Sequence, residues 1–122
     1  MGRSHGLGAE GEARAARLLE AGGYRILARN ARIERIEIDL VALRGDTIAF
    51  VEVKTRRGRR HGAPEEAVDG RKRRRLVLGA AAWLRETGRF AGRVRFDVVV
   101  CELDPAGAWH LRHLEDAFDA SG

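Results

Sequence analysis

The sequence is poor in cysteine, proline and aromatic residues. It has 122 residues, with one cysteine, two prolines and 6% aromatics. A lone cysteine excludes an internal disulfide framework, and Cys101, in the apolar run 98–101, has the setting of a small buried hydrophobe. Scarce aromatics do not favour a platform for stacking single-stranded bases. No apolar run is long enough to span a membrane, and none follows the N-terminus as in a secretory signal. These absences predict a cytoplasmic protein with no membrane partner.

Lysine and zinc-type ligand clusters are also scarce. Of the 23 basic residues, 21 are arginine, and the two lysines are Lys54 and Lys72. Arginine does not replace lysine in close catalytic contacts, so a surviving lysine is a candidate for chemistry, although chance also leaves two. The four histidines show no strong zinc spacing: His110 and His113 are three apart but have no companion cysteines.

The positive charge is concentrated in one segment. The net charge is +5, yet residues 54–75 hold ten Lys or Arg and three acids, a local sum of +7. The rest of the chain sums to −2. Such a concentration is typical of a phosphate-binding surface, and the alternative is a solvated basic loop.

Hydrophobic periodicity and turn signals predict an α/β domain spanning 1–122. A helix over about 4–21 should end at Gly22-Gly23, and a second helix should run from about 69–70 to 87–88. Strands are predicted over 24–30, 33–43, 47–55, 94–102 and 109–113, with a loop at 58–64 and a terminal helical turn at 114–120. The length fits one compact domain.

The strands 33–43 and 47–55 form the most informative element. Gly45-Asp46 suits a type II′ turn, and the resulting register makes paired residue numbers sum to 91. Asp39 then lies opposite Glu52, and Glu37 opposite Lys54. By alternation, Ile36, Ile38, Leu40 and Ala42 should share one apolar face with 49, 51, 53 and 55. The charged residues are expected on the other face.

Two opposed carboxylates need a counter-charge. At about 4 Å and an effective dielectric near 20 they repel by about 4 kcal/mol. A shared proton, a cation or a divalent metal relieves this, and hard oxygen ligands suit Mg²⁺ or Mn²⁺ better than zinc. The alternative is a surface hairpin with ordinary cross-strand ion pairs.

Two further carboxylates are predicted to face inward. Glu12 shares a helical face with Ala15, Ala16 and Leu19, so it either has a partner or lies at the fringe near the helix start. Asp97 lies in a β-branched strand, as a site carboxylate or as the ion-pair partner of an arginine such as Arg95 or Arg25.

These residues resemble a known pattern. Asp39 followed by Glu52-Val53-Lys54 resembles the PD-(D/E)xK nuclease motif. More closely, the chain is similar to the YraN-like family of small bacterial proteins. The matching stretches are 8–12, 37–40, 50–56, 67–68 with Lys72, and 95–98. Two departures are Ile38, where the superfamily has proline, and Ile36, where the family usually has glycine. The resemblance implies a restriction-endonuclease-like core, a mixed sheet flanked by helices in the order α-β-β-β-α-β-β.

The resemblance also implies a mechanism. Asp39, Glu52 and the Val53 carbonyl would hold one Mg²⁺ or Mn²⁺, with Glu12 reaching the metal directly or through water. Lys54 would orient or help to deprotonate the attacking water. Backbone contacts to a nucleic acid, expected to be DNA, would come from Arg56, Arg57, Arg59, Arg60, Lys72, Arg73 and Arg74.

The resulting hypothesis is an endonuclease acting on DNA, with branched or damaged structures among its candidate substrates. One alternative is a nucleic-acid-binding module that keeps the fold without turnover. Another is an assembly partner that binds no nucleic acid. A homodimer also fits, because many nucleases of this fold cut both strands as dimers.

Overall fold

The computed structural model describes residues 6–58, 69–89 and 92–120. Its elements follow the predicted order α-β-β-β-α-β-β. They are α1 (Leu7–Ala21), β1 (Arg25–Ile33), β2 (Ile36–Arg44), β3 (Thr47–Arg57), α2 (Gly70–Thr87), β4 (Arg93–Leu103) and β5 (Trp109–Phe118). The strands form one sheet in the order β1-β2-β3-β4-β5. Only the β3–β4 pair is parallel within these residues. The predicted α/β class and mixed sheet are therefore confirmed.

The two helices cover opposite faces of the sheet. On one face, Ala15, Ala16 and Leu19 of α1 pack against apolar residues of β2, β3 and β4. On the other face, Leu76 and Trp83 of α2 pack in a separate cluster around β3 and β4. Neither helix in the described residues is long and apolar enough to cross a lipid bilayer.

Local sequence sets both ends of α2. The Asp69 carboxylate caps the helix by accepting a hydrogen bond of 3.0 Å from the Lys72 amide. At the other end Gly88 adopts φ 69°, a left-handed conformation that favours glycine and ends the helix. The predicted boundaries near 69–70 and 87–88 are confirmed. Lys72 is consequently fixed in the first turn.

The predicted helical turn at 114–120 is wrong, because β5 continues to Phe118. Leu114 and Phe118 are four residues apart, a spacing that also suits a helix. A bulge pairs Val98 with Leu114 and Phe96 with Phe118, so both β5 side chains reach the cluster under α2. Phe118 stacks on Phe96 with ring centroids 5.4 Å apart. Packing against β4 thus overrides the local pattern.

The β2–β3 hairpin has the predicted register, from Arg44–Thr47 to Leu40–Val51. The predicted face assignment fails beyond Leu40. Leu40 packs in the cluster under α1, whereas Ile38 packs in the cluster under α2. The break occurs where β2 and β3 stop pairing, and there the Asp39 carboxylate accepts a hydrogen bond of 2.8 Å from the Val53 amide. A side chain thus replaces a main-chain partner and opens the sheet at Asp39.

Candidate metal and nucleic-acid site

A polar cavity of about 440 Å³ lies where β2 and β3 separate. The end of the β1–β2 hairpin forms one wall and the first turns of α2 form the other. Asp39 and Glu52 lie between them, on the strands that separate. The lining residues are Arg32, Arg35, Ile36, Glu37, Asp39, Glu52, Arg71, Lys72, Arg75 and Leu76.

Asp39 and Glu52 both line this cavity, although the pairing of β2 with β3 ends at Leu40–Val51, one position before the predicted Asp39–Glu52 pair. Burial, followed by the negative charge of Glu52, raises the pKa of Asp39 from its ordinary 3.8 to about 7, although the Val53 amide opposes the shift. The side chain of Glu52 is only 17% exposed, and its Oε2 lies 3.3 Å from Lys72 Nζ. The cavity therefore holds Asp39 and Glu52 close together, with Glu37 as a third lining carboxylate. Five basic side chains of the described residues also line it, and one of them, Lys72, contacts Glu52 directly.

Glu12 lies close enough to act on this charge but lines a different cavity. It is partly buried beside Asn30 and Leu40, in a neighbouring space of about 150 Å³ on the α1 side. Burial raises the pKa of Glu12, a side-chain hydrogen bond with Asn30 opposes the rise, and the charges of Glu37 and Glu52 add to it. Glu12 in turn helps to raise the pKa of Asp39. The inward-facing position predicted for Glu12 thus brings a further negative charge near those of Glu37, Asp39 and Glu52.

The two lysines are placed differently from each other. Lys54 lies two residues beyond Glu52 on β3 and is partly buried, but it does not line the cavity. Lys72 does line it and donates to Glu52. Sequence reasoning assigned the catalytic role to Lys54 and a backbone contact to Lys72. Of the two, the structure brings Lys72 to the carboxylates.

Among the described residues, side chains alone do not complete a metal site, so a bound ion would need main-chain or water ligands as well. Within 6–58, 69–89 and 92–120, no group of three His, Cys, Asp or Glu side chains is arranged to hold a metal ion. Asp39 and Glu52 line the cavity and supply hard carboxylate oxygens, whereas Val53, whose carbonyl the sequence predicts as a further ligand, is not among the lining residues. Mg²⁺ commonly uses one or two carboxylates and retains several waters, so this donor set fits it, and Mn²⁺ favours the same donors.

Comparison with known proteins identifies the family. A family model described as "Uncharacterised protein family UPF0102" matches residues 11–101. The chain is 48% identical over 118 residues to a UPF0102 protein of Rhodococcus jostii, covering 97% of this chain and 100% of that one. It is 49% identical over 117 residues to one of Symbiobacterium thermophilum, covering 96% and 99%. The chain belongs to the UPF0102 family. This is the YraN-like family that the sequence motifs resemble.

The predicted basic contacts of this UPF0102 chain are scattered. Arg56 is 8% exposed and pairs with Glu102 at 2.9 Å, so it does not present its guanidinium to solvent. The guanidinium of Arg73 lies 5.5 Å from the centre of the Phe118 ring, away from the cavity. Arg57 and Arg74 are exposed outside the cavity. Arg59 and Arg60 lie outside the described residues.

Four arginines of the described residues line the cavity; sequence reasoning missed Arg32 and Arg35 and named only as part of the basic run 71–75 the other two, Arg71 and Arg75. A signal existed for the last two. Lys72 was already placed on the face of Leu76, and Arg75 and Arg71 flank that pair at helical spacing. Arg32 and Arg35 depend on the β1–β2 hairpin, which the predicted strand boundaries did not define.

That hairpin is tight and tied to α2. Ile33 pairs with Ile36, which leaves a two-residue turn in which Glu34 and Arg35 have φ 50° and 69°. Left-handed backbone at a residue other than glycine costs about 1 kcal/mol or more. Two contacts with α2 hold the turn: Arg75 donates to the Arg35 carbonyl at 3.3 Å, and Arg85 pairs with Glu34 at 3.4 Å. The turn thereby fixes Arg35 at the rim.

Asp97 is confirmed as the partner of Arg95 and lies away from the cavity. It is fully buried, and Arg95 donates to its two oxygens at 2.9 and 2.8 Å. The Asp116 amide donates to it at 3.0 Å, and His113 Nε2 lies 2.7 Å away. Burial raises the pKa of Asp97, but the bonds with His113 and Arg95 together hold it below its usual value. Asp97 thus secures the bulge of β5.

Proposed function

We propose that this chain is a Mg²⁺- or Mn²⁺-dependent endonuclease that hydrolyses phosphodiester bonds of DNA in the cytoplasm, with 1–122 as one nuclease domain. The observation that carries the proposal is the crowding of Asp39 and Glu52 in one polar cavity. Burial, and after it the negative charge of Glu52, raises the pKa of Asp39 to about 7, and a divalent cation would stabilise the charged carboxylates against both effects.

The ligands of the metal would be Asp39, Glu52 and the carbonyl of Val53. The Asp39 carboxylate is positioned for this role by the Val53 amide, which holds one of its oxygens at 2.8 Å. When bound, the ion supplies a water of lowered pKa and positive charge for the phosphate under attack. Glu12 would act through a bridging water from the α1 side, and Lys54 would orient the attacking water.

The arginine-lined walls favour a phosphate backbone as the substrate. Arg32 and Arg35 line the cavity from the hairpin, and Arg71 and Arg75 line it from α2. Arginines on both sides of an acidic floor would hold the backbone while the metal neutralises the phosphate nearest the carboxylates. Arg57 and Arg74, exposed outside the cavity, stay predicted backbone contacts, and the predicted contacts Arg59 and Arg60 lie outside the described residues.

Four phosphate contacts predict a log–log salt slope of about −4 on duplex DNA. Contacts to the backbone position the DNA without reading its sequence, so this slope should be similar for unrelated sequences. The homodimer remains a prediction, which sedimentation of the protein with and without DNA would test.

The test is cleavage of duplex, branched and single-stranded DNA with Mg²⁺ and Mn²⁺. Asp39→Ala and Glu52→Ala should lose cleavage and calorimetric Mn²⁺ binding while remaining folded. Glu86→Ala, an exposed carboxylate on α2, is the matched control and should retain both. If the parent binds DNA tightly and cuts none of these substrates, the non-cleaving binding module replaces the enzyme. If it binds an acidic protein and no DNA, the assembly role does.

A further inference from the structure

An ion pair joins Lys72, in the first turn of α2, to Glu52 on β3. Lys72 Nζ lies 3.3 Å from Glu52 Oε2, and both side chains line the cavity. Lys72 is 49% exposed along its side chain and Glu52 is 17% exposed. The ammonium group therefore contacts a mostly buried carboxylate while it remains open to the space that a substrate would enter.

The position of Lys72 on its helix makes this contact informative. The helix dipole places partial positive charge at its N-terminus, where a lysine is unfavourable unless an anion is near. The first turn of α2 contains no acidic residue, and a run of five basic residues, 71–75, begins there. Besides the N-cap carboxylate of Asp69, Glu52 from the sheet supplies negative charge beside this turn. Asp69 caps the turn and fixes the point from which the Lys72 side chain extends.

We propose that Lys72 is the cation that neutralises Glu52 in the metal-free protein, and that a divalent metal displaces its ammonium group onto the phosphate being cut. The inference rests on the proposed nuclease function and deepens it. Lys72 and the metal compete for the same carboxylate, since an oxygen that accepts from an ammonium group is less available as a ligand. Once released, the ammonium group neutralises charge developing on the phosphate.

This assignment separates Lys72 from Lys54. Lys54 extends from β3 outside the cavity lining, so its removal leaves the charge on Glu52 as it was. Removal of Lys72 takes away the competitor of the metal. The two lysine variants should therefore differ in metal affinity even if both lose cleavage.

The experiment measures Mn²⁺ affinity by calorimetry in the absence of DNA. Lys72→Met should bind Mn²⁺ about fivefold more tightly than the parent, the size expected for loss of a partly exposed ion pair. Lys72→Gln, which keeps polarity but loses charge, should behave alike. Lys54→Met and Arg17→Met, a charge loss on the exposed face of α1, should stay within about twofold of the parent.

The second readout is cleavage at saturating Mn²⁺. Lys72→Met should lower kcat at least tenfold despite its tighter metal binding, a pair of opposite changes that loss of structure does not produce. Parent-like or weaker Mn²⁺ binding by Lys72→Met and Lys72→Gln overturns the inference and leaves the nuclease proposal intact. A parent that binds no Mn²⁺ overturns both.

Discussion

Replacing Asp39 with asparagine should stabilise the metal-free protein at alkaline pH. Asp39 has a pKa of about 7 in the fold and 3.8 as its ordinary value. Between pH 3.8 and about 7 the Asp39 carboxyl therefore keeps a proton in the folded protein that it has lost in the unfolded chain. The free energy of unfolding consequently falls as the pH rises through this range. A difference of about three pKa units means that the ionised Asp39 destabilises the fold by about 4 kcal/mol at pH 8. This value is the upper limit of the stability that its replacement by asparagine should add. Asparagine removes the charge while its Oδ1 still accepts from the Val53 amide.

The assay is urea unfolding of parent and Asp39→Asn in chelator at several pH values. Asp39→Asn should be more stable by about 2–4 kcal/mol at pH 8 and nearly equal to the parent at about pH 3, below the ordinary pKa, where the carboxyl is mostly protonated in both states. Addition of Mn²⁺ at 100 times its Kd should stabilise the parent by about 2.7 kcal/mol and leave Asp39→Asn unchanged. Equal stability of the two proteins across this pH range would refute the reasoning.

Three further predictions follow from contacts outside the two carboxylates. Gly11→Ala should destabilise by about 1–3 kcal/mol in urea, because a Cβ there would overlap Thr55 Oγ1, whereas Gly8→Ala meets open space and should be neutral or better. Asp97→Ala should destabilise by about 3–5 kcal/mol, since it removes the buried carboxylate that holds Arg95 at two oxygens and leaves that guanidinium only the longer contact with Glu115; a loss under 1 kcal/mol would contradict this. The double variant Arg71→Gln/Arg75→Gln should reduce the log–log salt slope of DNA binding by about 2, because both arginines line the cavity. The double variant Arg73→Gln/Arg74→Gln should reduce it less, and equal reductions would contradict the cavity as the DNA-binding surface.

The sequence predicted the site well where local rules apply. The turn at Gly45-Asp46 sets the register of β2 and β3 as far as Leu40–Val51, and Asp39 and Glu52, the next residue along each strand, line one cavity. The N-cap at Asp69 and the glycine at 88 define α2, and helical spacing places Lys72 on the face of Leu76. Each of these steps depends on neighbours in sequence or on one hairpin, for which backbone geometry is nearly fixed.

The rest depended on contacts between distant elements. Alternation along β2 fails at Asp39 because its side chain takes the Val53 amide, and no periodic rule contains that choice. Phe118 is drawn into the sheet by Phe96, against a spacing that equally suits a helix. Arg56 belongs by sequence to the basic run, yet Glu102, brought alongside by the parallel β3–β4 pair, buries it. Tertiary pairing decided each of these three outcomes.

The most direct measurement is anomalous diffraction from crystals soaked in Mn²⁺. The account predicts one peak between the carboxylates of Asp39 and Glu52, within about 2.4 Å of an oxygen of each, and movement of Lys72 Nζ away from Glu52. Crystals of Asp39→Asn grown and soaked alike should show no peak there. A well-ordered parent crystal with both carboxylates in place and no manganese between them would contradict the account.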